Sequence, residues 1–122
     1  MMGQLTYIAL AITVIITGYY AVIFIRDPET AMVRATHRLE LLPNVMTGRY
    51  IVMFLFAFGV LLLDNAKFSA FFFAVCAFMG LYDGWIYRSR NLPHFKHTIT
   101  GLLALGAFGI SILALVTSGT AL

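Results

Sequence analysis

Three ionisable side chains interrupt long apolar stretches of this sequence: Arg49, Asp83 and His97. Placing a charge in apolar surroundings costs free energy, so such groups normally face protein partners or water. Histidine titrates nearest to neutrality, which suits His97 to proton transfer. Asp83 would orient the imidazole or act as a carboxylate base, and Arg49 would hold an anionic group. We therefore expect a polar layer with His97 and Asp83 as catalytic candidates and Arg49 as a ligand-binding residue.

The same three residues also have a purely structural interpretation. An ion pair between Arg49 and Asp83 would lock two helices together, with His97 as a hydrogen-bonding third member. In that case the polar layer would stabilise the fold and would carry no chemistry.

Metal binding is a third alternative for this region. His94 and His97 are three residues apart, a spacing that presents two imidazoles on one side of a helix, and Asp83, His37 or Glu40 would complete the ligand set. An interfacial histidine is the more ordinary explanation of His94. We therefore expect neither a metal site nor a cofactor.

Aromatic side chains accompany the ionisable ones. Tyr19 and Tyr20 lie in the first apolar stretch at a depth comparable to that of Arg49, and Tyr82 directly precedes Asp83. We expect these three tyrosines to help bind a lipophilic ligand. Tyr82 also fits an aromatic belt at a membrane interface.

Composition decides which kind of protein positions these residues. Of the 122 residues, 61% are hydrophobic and 11% are charged, whereas a soluble domain carries about 25% charged residues. The net charge of +3 comes from dispersed basic residues and not from a cluster. A membrane surface is therefore a better partner than nucleic acid, which we do not expect to bind.

Four apolar runs have the length that crosses a bilayer as a helix, about 20 residues. They cover residues 5–25, 45–63, 68–87 and 98–116. Backbone polar groups must be satisfied internally in lipid, so helices follow. The sequence predicts an all-α integral membrane protein, a four-transmembrane-helix bundle that forms a single domain over residues 1–122.

The connection between the first two spans is too long for a turn. Within residues 27–42, Met32, Ala35, Leu39 and Leu42 recur at spacings of three or four residues. This spacing gives a helix one apolar side, and such helices lie in the headgroup region. We expect a short amphipathic interfacial helix here.

Basic residues predict the orientation, because lysine and arginine concentrate in cytoplasmic loops. All of them except Lys67 lie in or beside the first and third connections, namely Arg26, Arg34, Arg38, Arg49, Arg88, Arg90 and Lys96. This asymmetry predicts a multi-pass membrane protein with both termini outside the cytoplasm.

Small and weakly polar residues predict which helix sides pack together. In the fourth span a stripe recurs at spacings of three and four residues, made of His97, Thr100, Ala104, Ala107, Ser111, Ala114 and Ser118. In the third span one side carries Cys76, Gly80, Asp83 and Tyr87. Small residues let membrane helices approach closely, so these two sides are expected to be contact surfaces.

The pattern resembles a family of bacterial four-helix membrane proteins known only as a domain of unknown function, similar in topology to DoxX-like proteins. The shared features are Asp27-Pro28-Glu29 after span one, Gly48-Arg49 in span two, Asp83-Gly84 in span three, and a histidine followed by a glycine over residues 97–101. The family pattern has an aspartate directly after the arginine, where this chain has Tyr50. The resemblance implies the same fold, a place in the bacterial inner (cytoplasmic) membrane, and no established activity.

Three functions remain open from the sequence. The first is a non-catalytic membrane module that forms homo-oligomers or binds a membrane protein partner, surrounded by membrane lipids. The second is a membrane-embedded enzyme or binder of a lipophilic small molecule that uses Arg49, Asp83 and His97. The third is a small transporter that works as an oligomer.

Overall fold

The computed structural model describes residues 4–119, and the regular secondary structure in that range is entirely helical. Five α-helices follow one another along the chain: α1 (Gln4–Arg26), α2 (Pro28–Arg34), α3 (Leu42–Leu63), α4 (Ala66–Ser89) and α5 (Phe95–Thr117). A short 3₁₀ turn, Leu39–Leu41, leads into α3. The chain divides into two compact units, an N-terminal unit (Met1–Tyr50) and a C-terminal unit (Ile51–Leu122), with the boundary inside α3.

Within residues 4–119, three helical stretches are long and apolar enough to cross a membrane: Leu39–Leu63, Ala66–Ser89 and Phe95–Thr117. They contain the second, third and fourth spans predicted from the sequence. The first predicted span lies within α1, in which the apolar stretch Ala11–Arg26 is shorter than the other three. The all-helical fold is thus confirmed, and its apolar helices are compatible with a membrane-embedded protein.

In the N-terminal unit, Asp27 is the N-cap of α2 and Pro28 occupies the first helical position. The Asp27 carboxylate accepts a hydrogen bond from the Thr30 backbone N–H at 3.2 Å and one from the Thr30 hydroxyl at 2.6 Å. These bonds satisfy a donor that the helix itself leaves unpaired. α2 packs against α1, and Ala31 on α2 is only 1% exposed.

The predicted amphipathic helix over residues 27–42 is wrong in its length, because α2 ends at Arg34. Thr36 adopts a left-handed conformation with φ of 59°, and the His37 N–H bonds to the Met32 carbonyl oxygen at 2.8 Å. This pattern is the Schellman motif, which closes a helix and turns the chain away from it. A β-branched residue is strained in that conformation.

The early end of α2 changes the partners of two residues assigned to its apolar side. Leu39 lies in the 3₁₀ turn, and Leu42 begins α3. Met32 and Ala35 remain at α2 and are partly buried. The apolar spacing of three and four residues therefore continues past the end of α2. The sequence pattern did not indicate the turn at Thr36 that interrupts it.

In the C-terminal unit, α4 and α5 form a closely packed antiparallel pair. A Cβ atom added to Gly80 would lie 2.7 Å from the Cα atom of Gly101, and one added to Gly101 would lie 2.6 Å from the Leu81 backbone nitrogen. A Cβ atom on Gly84 would lie 2.5 Å from the Thr98 hydroxyl oxygen. At Gly80 and Gly101 no side chain larger than hydrogen fits without a shift of the neighbouring helix, whereas at Gly84 the first atom to move would be the Thr98 hydroxyl.

The packing side of α5 differs from the predicted stripe. His97, Ala104 and Ala107 are partly buried and Ser111 is buried, as expected, whereas Thr100, Ala114 and Ser118 are exposed. The most buried positions include Gly101 and Leu115, which the predicted stripe left out. The contact side is displaced around the helix because the closest approach to α4 requires glycine at the crossing point and not threonine.

α3 contributes to the C-terminal unit through its second half. Phe56 on α3 and Phe72 on α4 meet edge to face with ring centroids 5.1 Å apart. Phe72 is 8% exposed and Val60 is 7% exposed, in contrast to the exposed side chains of Phe54 and Phe58. Aromatic edge-to-face pairs of this kind stabilise packing beyond the area that they bury.

The reversal between α4 and α5 is short and locally determined. Asn91 adopts a left-handed conformation with φ of 56°, and the Leu92 N–H bonds to the Tyr87 carbonyl oxygen at 2.9 Å. Asparagine tolerates this conformation better than most residues. The tight turn brings the start of α5 back beside the end of α4.

Replacing Gly80 with alanine should destabilise the α4–α5 pair by about 1–3 kcal/mol, because the added methyl group overlaps the backbone of Gly101. Gly18→Ala is the matched control, since Gly18 on α1 has nothing within 4 Å of an added Cβ atom. The control should be neutral or stabilising by up to about 1 kcal/mol through helix propensity. Unfolding in mixed detergent and SDS micelles, followed by circular dichroism, measures both. Equal effects of the two substitutions would contradict this packing.

Hydrogen bonds from the Thr30 hydroxyl and then the Thr30 backbone N–H lower the pKa of Asp27 below its ordinary value. A folded-state pKa below the unfolded value stabilises α2 fully above about pH 4. That stabilisation is lost as the pH falls through the folded-state pKa. Thr30→Val removes the hydroxyl donor, so the Asp27 pKa should rise towards its ordinary value in a carboxyl-carbon NMR titration. Thr47→Val, in the first turns of α3, should leave it unchanged.

Candidate functional site

Asp83 and His97 lie at the same level of the α4–α5 pair. Gly80 faces Gly101 and the His97 carbonyl oxygen, and Gly84 faces Thr98, so the turn of α4 that contains Asp83 lies beside the first turns of α5. Both Asp83 and His97 are partly buried. The C-terminal unit therefore brings these two predicted site residues to one depth.

The imidazole of His97 packs on an aromatic ring. Its centroid is 4.6 Å from that of Tyr87, with an angle of 39° between the ring planes. Within residues 51–119, the Asp83 carboxylate forms no ion pair within 4.0 Å and no hydrogen bond. Tyr87, one helical turn after Asp83, is thus the direct neighbour of the His97 ring in this unit.

His94 and His97 have different partners although they begin the same helix. The His94 Nδ1 atom and the Thr98 hydroxyl oxygen are 3.0 Å apart and share a hydrogen bond, whereas His97 contacts Tyr87. Throughout the part of the chain that the structure describes, no three His, Cys, Asp or Glu residues come close enough together to hold a metal ion.

Arg49 and Tyr20 meet at a cavity of the N-terminal unit. This cavity, of about 350 Å³, is lined by Tyr20, Phe24, Ala35, His37 and Arg49. We call it the Arg49 cavity. It combines a guanidinium and an imidazole with two aromatic rings, a set that suits an anionic group attached to an apolar body.

Tyr19 faces a different neighbour from Tyr20. Its hydroxyl oxygen accepts a long hydrogen bond, 3.5 Å, from Nη1 of Arg34 on α2. The rings of Tyr19 and Tyr20 meet edge to face at 5.4 Å. Tyr19 therefore links α1 to α2 beside the cavity, while Tyr20 lines it.

Tyr82 lies on the outer surface of α4. It is 47% exposed. Its ring stacks on that of Phe78 with centroids 5.6 Å apart, and the Trp85 ring is tilted against it at 6.0 Å. This aromatic row points away from the glycine contact with α5. The position agrees with an interfacial aromatic belt and separates Tyr82 from the Tyr87–His97 contact.

The charged side chains of the N-terminal unit differ in whether they have a partner of opposite charge. Within the described residues 4–50, the one ion pair joins Arg38 to Glu40 at 3.7 Å, and both side chains are largely exposed. Such surface pairs contribute little stability. In the same unit Arg49 has no carboxylate within 4.0 Å and is exposed. Pairing of Arg49 with Asp83, which lies in the other unit, stays a prediction.

Two features of the site were missed from the sequence. The spacing Gly80-x-x-x-Gly84 is a known signal for close helix contact in membranes, and it surrounds Asp83. His37 as a cavity residue had no such signal, because its position depends on the left-handed turn at Thr36.

Known proteins give no further assignment. No protein-family model, no curated protein and no solved structure matches this chain. The resemblance to DoxX-like proteins therefore stays a prediction, and the candidate site is defined by the geometry of this chain's own residues.

Proposed function

We propose that this chain is a four-span protein of the bacterial inner membrane that works by helix association, forming a homo-oligomer. α1 supplies the first span, and α3, α4 and α5 supply the others. The basic residues of the first and third connections favour a topology with both termini outside the cytoplasm. In this function the polar residues are structural and carry no catalysis.

The observation that carries this proposal is a pair of glycines on α5, Gly106 and Gly109, that lies outside the contact with α4. The space beside Gly101 is filled by the backbone of α4, whereas Gly106 and Gly109 have nothing within 4 Å of an added Cβ atom. Their spacing of three residues places them on one side of the helix. α5 thus presents the same means of close approach on a side that α4 does not cover.

Exposed leucines border these open glycines. Leu102 is 50% exposed, Leu105 is 47% exposed and Leu113 is 61% exposed. Lipid tails are as apolar as leucine, so membrane helices gain little from apolar burial alone and associate by close packing and hydrogen bonds. A glycine pair flanked by large side chains supplies the shape that favours another helix over lipid.

Substituting both glycines should abolish the oligomer. In the Gly106→Leu, Gly109→Leu variant, bulky side chains fill the space that a second copy would occupy, and we expect a monomer by light scattering in mild detergent and by subunit counting in liposomes. Gly18→Leu, at another open helical glycine, should keep the oligomer. A wild-type chain that is monomeric in both environments would contradict the proposal.

The structural role of His97 makes a separate prediction. If its ring acts by packing on Tyr87, His97→Ala should lower the free energy of unfolding by about 0.5–1.5 kcal/mol. His97→Phe should restore most of that loss, because phenylalanine keeps an aromatic ring but cannot transfer a proton. Both variants should remain oligomeric. Failure of phenylalanine to restore stability would show that the imidazole nitrogens matter.

A further inference from the structure

We propose that the Arg49 cavity binds the phosphate group of an anionic phospholipid from the surrounding leaflet. The proposal goes beyond helix association and rests only on the membrane placement of α1 and α3. The lipid phosphate would contact Arg49 and His37, and the adjoining part of the lipid would lie against Tyr20 and Phe24. These residues belong to α1, to the turn after α2 and to the start of α3.

The first step concerns the charge of Arg49. Its guanidinium lies on the second or third turn of an apolar helix, where an unpaired charge is costly. Within the described residues 4–50 no carboxylate lies within 4.0 Å of Arg49, while Glu40 pairs with Arg38 and Asp27 accepts bonds from Thr30. The planar guanidinium suits an oxyanion that accepts two parallel hydrogen bonds, and phosphate is such a group.

The second step concerns His37, which supplies another donor to the same cavity. Its backbone N–H is fixed by the bond to the Met32 carbonyl oxygen, and the left-handed Thr36 precedes it. The side chain is partly buried and lines the Arg49 cavity. An imidazole N–H donates a hydrogen bond to a phosphate oxygen in either charge state.

The third step concerns the apolar wall and the size of the cavity. Phe24 is partly buried and Tyr20 is 38% exposed, so both rings offer surface to the part of a lipid next to its phosphate. The cavity is a wide-open depression with a volume of about 350 Å³, which is too shallow to enclose a whole organic molecule but has room for a small polar group. The cavity therefore suits a headgroup whose acyl chains stay in the bilayer.

The fourth step concerns which anion is present at this depth. Arg49 lies a few residues inside a span whose preceding connection carries Arg26, Arg34 and Arg38. Basic pockets between helices near the cytoplasmic surface recognise anionic lipid headgroups. Phospholipid phosphates lie at this level of the membrane, so the ligand is a lipid of the same leaflet.

Native mass spectrometry of the delipidated full chain in detergent tests the site with short-chain phosphatidylglycerol. We expect Arg49→Gln to weaken phosphatidylglycerol binding by about tenfold, the usual effect of losing one charge-assisted hydrogen bond. Arg90→Gln is the matched control, because it removes the same charge at an exposed residue that does not line the cavity. This control should change phosphatidylglycerol binding less than about twofold. Equal losses would overturn the proposal in favour of general charge attraction.

Two further arms identify the ligand. Phosphatidylcholine, which adds a positive choline group, should bind more weakly than phosphatidylglycerol, and equal binding would overturn the anionic preference. Inorganic phosphate should compete poorly, since it cannot contact Tyr20 and Phe24. Competition as strong as that of phosphatidylglycerol would overturn the lipid assignment and indicate a free anion site.

His37→Gln keeps the test independent of whether Arg49→Gln folds, because His37 lies in a turn outside the apolar helices. We expect it to weaken phosphatidylglycerol binding several-fold without loss of helical content, and unchanged binding would overturn the role of the turn. The Gly106→Leu, Gly109→Leu variant should keep the lipid preference. Loss of the oligomer and loss of lipid binding therefore report on the two proposals separately.

Discussion

The backbone of α4 lies directly against the backbone of α5 where Gly80 meets Gly101, and the arrangement of the C-terminal unit depends on this approach. Van der Waals attraction falls steeply with distance, so removing a side chain from both helices brings many more atom pairs into contact. The contact also fixes the relative height of the helices. Asp83 lies between the glycines of the Gly80-x-x-x-Gly84 spacing, and His97 comes one turn before Gly101.

The N-terminal unit relies on a different constraint. Asp27 begins α2 and the left-handed Thr36 follows its end, so the chain passes through a helix of only seven residues before it returns to the apolar segment that contains Arg49. These local hydrogen bonds place His37 and Arg49 at one cavity. A β-branched residue is strained in the left-handed region. Thr36 adopts this conformation directly before His37, which lines the same cavity as Arg49.

The helices themselves were largely predictable, because apolar runs of about 20 residues have few alternatives in lipid. The ends were less so. The predicted helix over residues 27–42 began at the right place, yet the pattern of Met32, Ala35 and Leu39 extended it too far. Apolar spacing reports which residues would share a side if the helix continued, and it carries no information about a turn formed by hydrogen bonds between backbone groups.

The candidate site, like the helices, was predictable only in part. Residue type alone indicated Arg49, Tyr20, Asp83 and His97, because polar groups in apolar helices need a reason to be there. Tertiary structure decided their neighbours: the ring of Tyr87 beside His97, and the imidazole of His37 at the cavity of Arg49. Composition and spacing determine what a segment can bury, whereas contacts between segments depend on backbone turns and on the distance of closest approach, which are properties of the folded chain.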